Sequence, residues 1–336
     1  MTTHAHPRRL GASGPAVFPL GLGCMGMSGM YGPSDVRESI ATIHAALDAG
    51  ITLLDTGDYY GAGHNELLIG RALRDRRDKA LVSVKFGALR GPDGSWIGMD
   101  TRPAATRNFL GYTLTRLGLD HVDIYRPGRL DPNVPIEETV GELAALVKAG
   151  WVRAIGLSEV GADTIRRAAA VHPIADLQIE YSLVSRGPEA TIFPLLEELG
   201  VGVTAYGVLS RGLLSGSQPT SASDFRQHLP RFSGENREQN ERLVEALQSV
   251  AAEKGVTASQ LAIAWVLAKA TSIVPVIGAR TRTQLIESLG ALAVTLTPGD
   301  LTRIESAVPA DAVAGTRYGE PQMRMLDSER PPTAED

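Results

Sequence analysis

Leu53-Leu54-Asp55-Thr56-Gly57-Asp58-Tyr59-Tyr60-Gly61 is the stretch whose reading decides the fold. The apolar run Ile51-Thr52-Leu53-Leu54 ends on a carboxylate, and Tyr60 follows five residues after Asp55. Short apolar runs bounded by turn residues read as buried parallel strands. A carboxylate at the tail of such a strand is poorly solvated and needs a partner. The next apolar run, Leu81-Val82-Ser83-Val84-Lys85-Phe86-Gly87, carries one lysine. Asp55 is expected to hold the Lys85 ammonium, and Lys85 to point at the Tyr60 hydroxyl.

That trio has a chemical use. A free tyrosine titrates near ~10 and is a reluctant proton donor at neutral pH. A cation about 4 Å away favours the phenolate by roughly 1 to 4 kcal/mol, which is about one to three pKa units. A phenol tuned in this way can protonate a carbonyl oxygen as hydride reaches the carbon. The bland alternative makes Asp55 a turn cap, Lys85 a core-edge lysine and Tyr60 a packing residue.

Bulk properties narrow the choice. The chain has 336 residues, a length at which an α/β barrel forms one domain. A net charge of −5 gives no basic footprint for nucleic acid. Lysine occurs only at positions 79, 85, 148, 254 and 269, so one inside an apolar strand is not there through abundance. A single cysteine, Cys24, excludes an intramolecular disulfide and suits a reducing cytoplasm. No apolar run is long enough for a membrane span, and Met1 to Arg9 lacks a signal-peptide apolar region.

Periodicity then alternates along the chain. A hairpin over Arg8 to Leu20 is suited to plugging one end of a larger body. Buried strands are expected at Leu20–Cys24, around Asp55, around Lys85, and at 122–125, 152–157, 177–179, 201–206 and 272–277. Helices fall between them, one at about 241–254. A polar loop is expected over Leu89 to Arg102. The tail from Asp327 to Asp336 reads as disordered. Eight strands alternating with helices, with no linker, predict a single-domain parallel (β/α)8 TIM barrel with an N-terminal β-hairpin and extra helices. Its core spans about 8–310. Reactive groups in such barrels sit where strands end, as Asp55, Tyr60 and Lys85 do.

Gly21-Leu22-Gly23-Cys24-Met25-Gly26 matches G-x-G-x-x-G after a strand, but Met27 to Pro33 is a loop. A dinucleotide fingerprint needs a helix opening inside those glycines. They are read as close-approach positions at the barrel mouth. The histidines are scattered and no Cys-x-x-Cys exists, so no metal is expected.

The trio spacing, the Gly21–Met27 loop and Ile155-Gly156-Leu157-Ser158-Glu159 together resemble the aldo-keto reductase superfamily. So do Ala205-Tyr206 before Arg211-Gly212, and Val274-Pro275-Val276-Ile277-Gly278-Ala279-Arg280. The branch resembled is that of bacterial pyridoxal reductases and auxin-induced-type homologues. The resemblance implies a cytoplasmic, NADPH-dependent barrel enzyme that interconverts a small-molecule aldehyde or ketone and its alcohol, as a monomer or small homo-oligomer. Asp55, Tyr60 and Lys85 fall on three members of the family's Asp-Tyr-Lys-His tetrad. Cofactor contacts are implied at Gly23, Met25 and Asp55, and at Ser158 and Gln178 for the nicotinamide carboxamide. Tyr206 falls where a ring stacks on the nicotinamide. Gly207, Val208, Leu209, Arg211 and Gly212 fall around the pyrophosphate. Gly278, Ala279, Arg280, Gln284 and Ser288 fall around the adenosine 2′-phosphate. Met27, Tyr31, Tyr59 and Trp96 are candidate substrate-lining residues. The stretch Leu213 to Asn240 is either a fold-over segment or a surface loop. The segment after Pro309, with Tyr318 and Met323, is a candidate pocket edge.

The chain departs from the family pattern in three places. Tyr125-Arg126-Pro127-Gly128-Arg129-Leu130-Asp131 puts Gly128 where the tetrad histidine belongs. Water, Arg126 or Arg129 is the expected substitute, and His64 lies close in sequence. Glu159 stands where many relatives have Asn, and Gly207-Val208 replaces Ser-Pro. The alternative function is an NADPH-binding regulatory protein with little turnover, as in potassium-channel β subunits that lack the same histidine.

Overall fold

The computed structural model describes residues 6–219 and 224–330. Eight parallel strands form a closed barrel: β1 (Gly21–Gly23), β2 (Leu53–Gly57), β3 (Leu81–Phe86), β4 (Val122–Pro127), β5 (Val152–Ser158), β6 (Asp176–Glu180), β7 (Gly202–Tyr206) and β8 (Ile273–Gly278). Each strand pairs with its successor, and β8 closes on β1 through Val276 opposite Gly21. The chain is a (β/α)8 TIM barrel.

Helices α1 (Val36–Asp48), α2 (His64–Ala72), α3 (Pro103–Leu117), α4 (Ile136–Lys148), α5 (Ala162–Val171), α6 (Pro188–Leu199), α7 (Gly234–Glu253), α8 (Ala258–Lys269), α9 (Arg282–Leu289) and α10 (Pro298–Ala307) surround it. Their starts follow local chemistry. Asp35 accepts from the Glu38 amide at α1, and Thr257 with Gln260 makes a capping box at α8. The strands are almost continuously buried because both faces are covered: helices outside, side chains inside. The apolar shell between strands and helices forms one large cluster.

The N-terminal hairpin pairs Arg8 with Val17, and its Leu10 and Val17 pack against Leu53, Ile124 and Val274. It closes the end of the barrel opposite the strand C-termini. Above that plug the interior turns polar. Arg126 donates to the Thr204 and Ser83 hydroxyls and lies 3.0 Å from Asp176, both side chains fully buried. Gly156 makes room for the pair, since a Cβ there would sit 2.6 Å from Asp176 Oδ1.

Three expectations are corrected. The stretch Leu89 to Arg102 is not a plain loop: Ala88–Arg90 pairs antiparallel with Trp96–Met99 around Pro92-Asp93-Gly94, a turn sequence with its own mechanism. Helix α7 starts at Gly234, and short 3₁₀ turns at Phe225–His228 and Pro230–Phe232 precede it. Residues 327–330 are docked, not loose. The Asp327 carboxylate accepts from the Gly161 amide and the Thr164 hydroxyl, capping α5 at 2.8 and 2.7 Å. The expectations for residues 1–5 and 331–336 lie outside the described residues.

Candidate active site

Register places the trio. Asp55 lies opposite Ser83 and Lys85 opposite Gly57 and Arg126, so both charged side chains rise from adjacent strands toward one mouth. Lys85 Nζ donates to Asp55 Oδ1 at 2.5 Å, and both groups are buried. The other carboxylate oxygen accepts from Gln178 Nε2 at 2.8 Å and the Ser83 hydroxyl at 3.0 Å. Asp55 is therefore held at three points. Tyr60 follows a turn in which its amide donates to the Gly57 carbonyl, and its ring lies against Lys85, Nζ being 5.0 Å from the ring centre. Asn65 fastens this turn: it accepts from Thr56 and donates to the Cys24 carbonyl and the Ser28 hydroxyl.

Burial pushes the Tyr60 phenol well above its usual range, and Tyr59 and Asp55 add to the rise. Lys85 Nζ, bonded to Asp55, lies 5.0 Å from the centre of that ring. Burial likewise lowers Lys85 below the ordinary amine value, with Asp55 opposing.

Asp58 has one carboxylate oxygen without a partner and one accepting a long 3.4 Å bond from the Gly87 amide. Burial, with Glu66 nearby, raises its carboxyl from 3.8 to about 7. A folded-state value above the unfolded one gives stability that is full below the unfolded value and lost as pH rises through the folded one. Asp58→Asn is expected to hold its stability between about pH 4 and pH 7 while wild type loses it, the gap reaching a few kcal/mol, on the order of the shift itself. Parallel melting curves across that window would reject the assignment.

The remaining predicted residues group around the same mouth. Ser158 and Gln178 stand side by side on β5 and β6. The buried Ser158 hydroxyl has no partner among the described residues, as suits a site that receives a polar ligand group. Gly23 ends β1, and Met25 begins a short 3₁₀ turn. Tyr206 ends β7. Gly207, buried Val208 and Leu209 lead to Arg211 and Gly212, and Arg211 has a left-handed φ of 56°. The other non-glycine residues with positive φ among the described residues are Ala62, Glu159 and Ser210, and all four follow the C-terminal ends of barrel strands. Such backbone costs roughly 1–2 kcal/mol per residue and clusters at functional sites.

Gly278 ends β8, Ala279 is buried behind it, and the Arg280 amide donates to Gln284 Oε1. Ser288 is buried a turn further on. The Arg280 guanidinium donates to the Tyr31 and Pro33 carbonyls, and a Cβ on Gly26 would stand 3.1 Å from its Cγ. The Gly21–Gly26 pattern thus serves close approach.

Glu180, Arg231 and Arg317 of this cleft were not legible beforehand, whereas Tyr318 was a candidate pocket edge. Glu180 ends β6 fully buried and pairs with Arg211 at 3.2 Å and Arg231 at 3.3 Å. Arg317 pairs with Glu159 at 2.6 Å, and Tyr318 meets the Tyr206 hydroxyl at 3.3 Å beneath the Arg211 guanidinium. Burial alone would raise Glu159, but Arg317 holds it at about 2. The strand-end position of Glu180 was a usable signal; Arg317 carries none. Phe225 reaches Tyr31, its ring centre 5.8 Å away, so the turn Phe225–His228 packs against the loop after β1. Met323 sits on a short helical turn, Glu320–Met323.

Among the candidate lining residues, Met27 is corrected: it is fully buried in the apolar shell. Tyr59 packs edge-on to Tyr60 and to the partly exposed Trp96. Arg126 is committed to Asp176 inside the barrel, and exposed His64 bonds Ser28, so neither takes the place opened at Gly128. Among the described residues no cluster of three His, Cys, Asp or Glu could hold a metal ion, and no helix is long and apolar enough to cross a membrane.

The sequence model of the Aldo/keto reductase family matches residues 19–309. Probable aldo-keto reductase 1 of Glycine max is 44% identical over 321 residues, covering 93% of this chain and 91% of that protein. The glycerol dehydrogenase AKR11B4 of Gluconobacter oxydans superposes with a TM-score of 0.83 at 28% identity, covering 98% of this chain and 99% of that one. The holo form of aldo-keto reductase AKR11C1 of Bacillus halodurans gives 0.77 at 29%, covering 91% and 97%. Relatedness over nearly the whole length, on a shared barrel, makes this oxidoreductase a member of the aldo/keto reductase family.

Proposed function

We propose that the protein is a cytoplasmic NADPH-dependent carbonyl reductase that converts an aldehyde or ketone to its alcohol and runs in reverse on alcohols. The observation carrying this reading is the buried Lys85–Asp55 pair against the Tyr60 ring, at the mouth where the Ser158 hydroxyl lacks a partner. When bound, the nicotinamide supplies or accepts hydride. Tyr60, protonated at neutral pH because it is buried, donates its proton to the carbonyl oxygen. Lys85 then faces the phenolate that remains and stabilises it, and Asp55 keeps Lys85 charged and in place. In the alcohol-oxidising direction the Tyr60 phenolate takes the proton back.

Ser158 and Gln178 would hold the carboxamide, and Tyr206 would carry the ring. Gly207–Gly212 with Arg211 would wrap the pyrophosphate, while Gly23 and Met25 would border it. Gly278, Ala279, Arg280, Gln284 and Ser288 would surround the 2′-phosphate. Arg211 and Arg280 now bond within the protein, so loading would exchange those bonds for phosphate contacts. Tyr31, Tyr59 and Trp96 remain as the substrate-lining candidates.

The test is NADPH oxidation with a panel of aldehydes, beside direct titration of NADPH. Turnover supports the reading; tight binding with no turnover on any carbonyl favours the sensing alternative. Arg280→Ala is expected to weaken NADPH by roughly 10- to 100-fold, the worth of a charge-assisted contact, and to leave NADH almost unchanged. Equal losses for both cofactors would remove Arg280 from the 2′-phosphate site.

A further inference from the structure

A carbonyl oxygen gaining negative charge accepts two hydrogen bonds, and one donor, Tyr60, leaves the second unassigned. The structure places another phenol beside the first. The rings of Tyr59 and Tyr60 stand edge-on, with centres 4.9 Å apart. Both lie against Gly57: a Cβ there would stand 3.2 Å from Tyr59 Cε1 and 3.4 Å from Tyr60 Cε1. Tyr59 then crosses the end of β3 to Gly128, where a Cβ would meet its Cε1 at 3.5 Å and its hydroxyl at 3.6 Å. Gly128 is itself pinned, its amide donating to the Phe86 carbonyl at 2.8 Å. The Tyr59 ring thus fills the space in front of Gly128. Its hydroxyl has no hydrogen-bond partner among the described residues, although the ring is half-buried. Arg129, next to Gly128, has no carboxylate within 4 Å among the described residues and donates to the Gly128 carbonyl.

We infer that the Tyr59 hydroxyl is the second donor to the substrate oxygen, taking the space and the orienting role left by glycine at position 128. The inference rests on the reductase reading above. Tyr59 keeps its proton throughout; the proton transferred is that of Tyr60, and the electron pair arrives with hydride. Burial raises the Tyr59 phenol to about 12, against the opposing pull of Arg129, so it stays protonated and able to donate at neutral pH. A Gly128 side chain longer than a methyl group, aimed at the cleft, would collide with the Tyr59 ring. One of the two positions can carry a donor, not both.

The test is a double-mutant cycle on the full chain with 4-nitrobenzaldehyde and NADPH, read by kcat, KM, NADPH titration and melting temperature. Tyr59→Phe is expected to lower kcat/KM by roughly 10- to 100-fold, mainly through kcat, with NADPH affinity unchanged. Gly128→His alone is expected to lower both melting temperature and turnover. Tyr59→Ala combined with Gly128→His is expected to regain melting temperature and to exceed Tyr59→Ala alone in kcat. Wild-type kcat/KM in Tyr59→Phe overturns the donor role. Additive effects on melting temperature overturn the shared space. Tyr60→Phe separates the two levels: if it turns over like wild type, Tyr60 is not the proton donor and the second-donor inference falls while the reductase reading stands; if wild type binds NADPH and reduces nothing, the reductase reading falls and the inference with it.

Discussion

Tyr60→Phe is expected to lower aldehyde-dependent NADPH oxidation by roughly 100- to 10,000-fold while NADPH binding stays near wild type, the usual worth of a positioned proton donor. The ring, and with it the packing against Tyr59 and Lys85, remains; only the transferable proton goes. Because burial holds the phenol well above its usual range, the reduction rate should be flat across neutral pH. Alcohol oxidation needs the phenolate, so its rate should climb with pH over the same range. Wild-type turnover in the variant, or an oxidation rate that falls as pH rises, would remove Tyr60 from the chemistry. Lys85→Met tests the same site from its other side. Without the ammonium, Asp55 keeps Gln178 and Ser83 but loses its counter-charge, so melting temperature should drop along with turnover while NADPH titration shows a folded, binding-competent chain.

The second large effect concerns stability. Asp176→Ala is expected to cost about 3–5 kcal/mol, because it strands the Arg126 charge in the barrel interior. The pair is not ideally solvated by its neighbours: Asp176 Oδ1 and Arg126 Nε have no partner among the described residues. Burial lifts the Asp176 carboxyl above its ordinary value in spite of Arg126. Replacing both, as Arg126→Met with Asp176→Leu, should therefore recover most of the loss, since apolar groups of similar volume can match a buried ion pair. Urea denaturation of the two single variants and the double variant decides it. Additive losses would mean that packing around Gly156, not charge, sets the cost.

The strand positions and the Asp55–Lys85 pairing were readable because period and residue rarity act locally: one lysine in an apolar run must find an acid. The closed barrel followed from the count of alternating elements. What lay beyond reach was the pairing of residues distant along the chain. Arg317 reaches Glu159 across 158 positions, and no local pattern in Gly315-Thr316-Arg317-Tyr318 announces it. Met27 looked like a lining residue because its loop borders the mouth, but its side chain turns into the apolar shell. Nor does a local pattern give the burial of Tyr60, which pushes its phenol up and opposes the tuning expected from Lys85.

Closure of β8 on β1 also sets a timetable for biosynthesis. A nascent chain that has not yet released Ile273 leaves β1 and β7 with unpaired edges, because their shared neighbour is still inside the ribosome. Seven strands must wait, exposed to other chains, for the eighth. The segment that carries Arg317 emerges later still, so Glu159 gains its counter-charge only after all eight strands have left the ribosome.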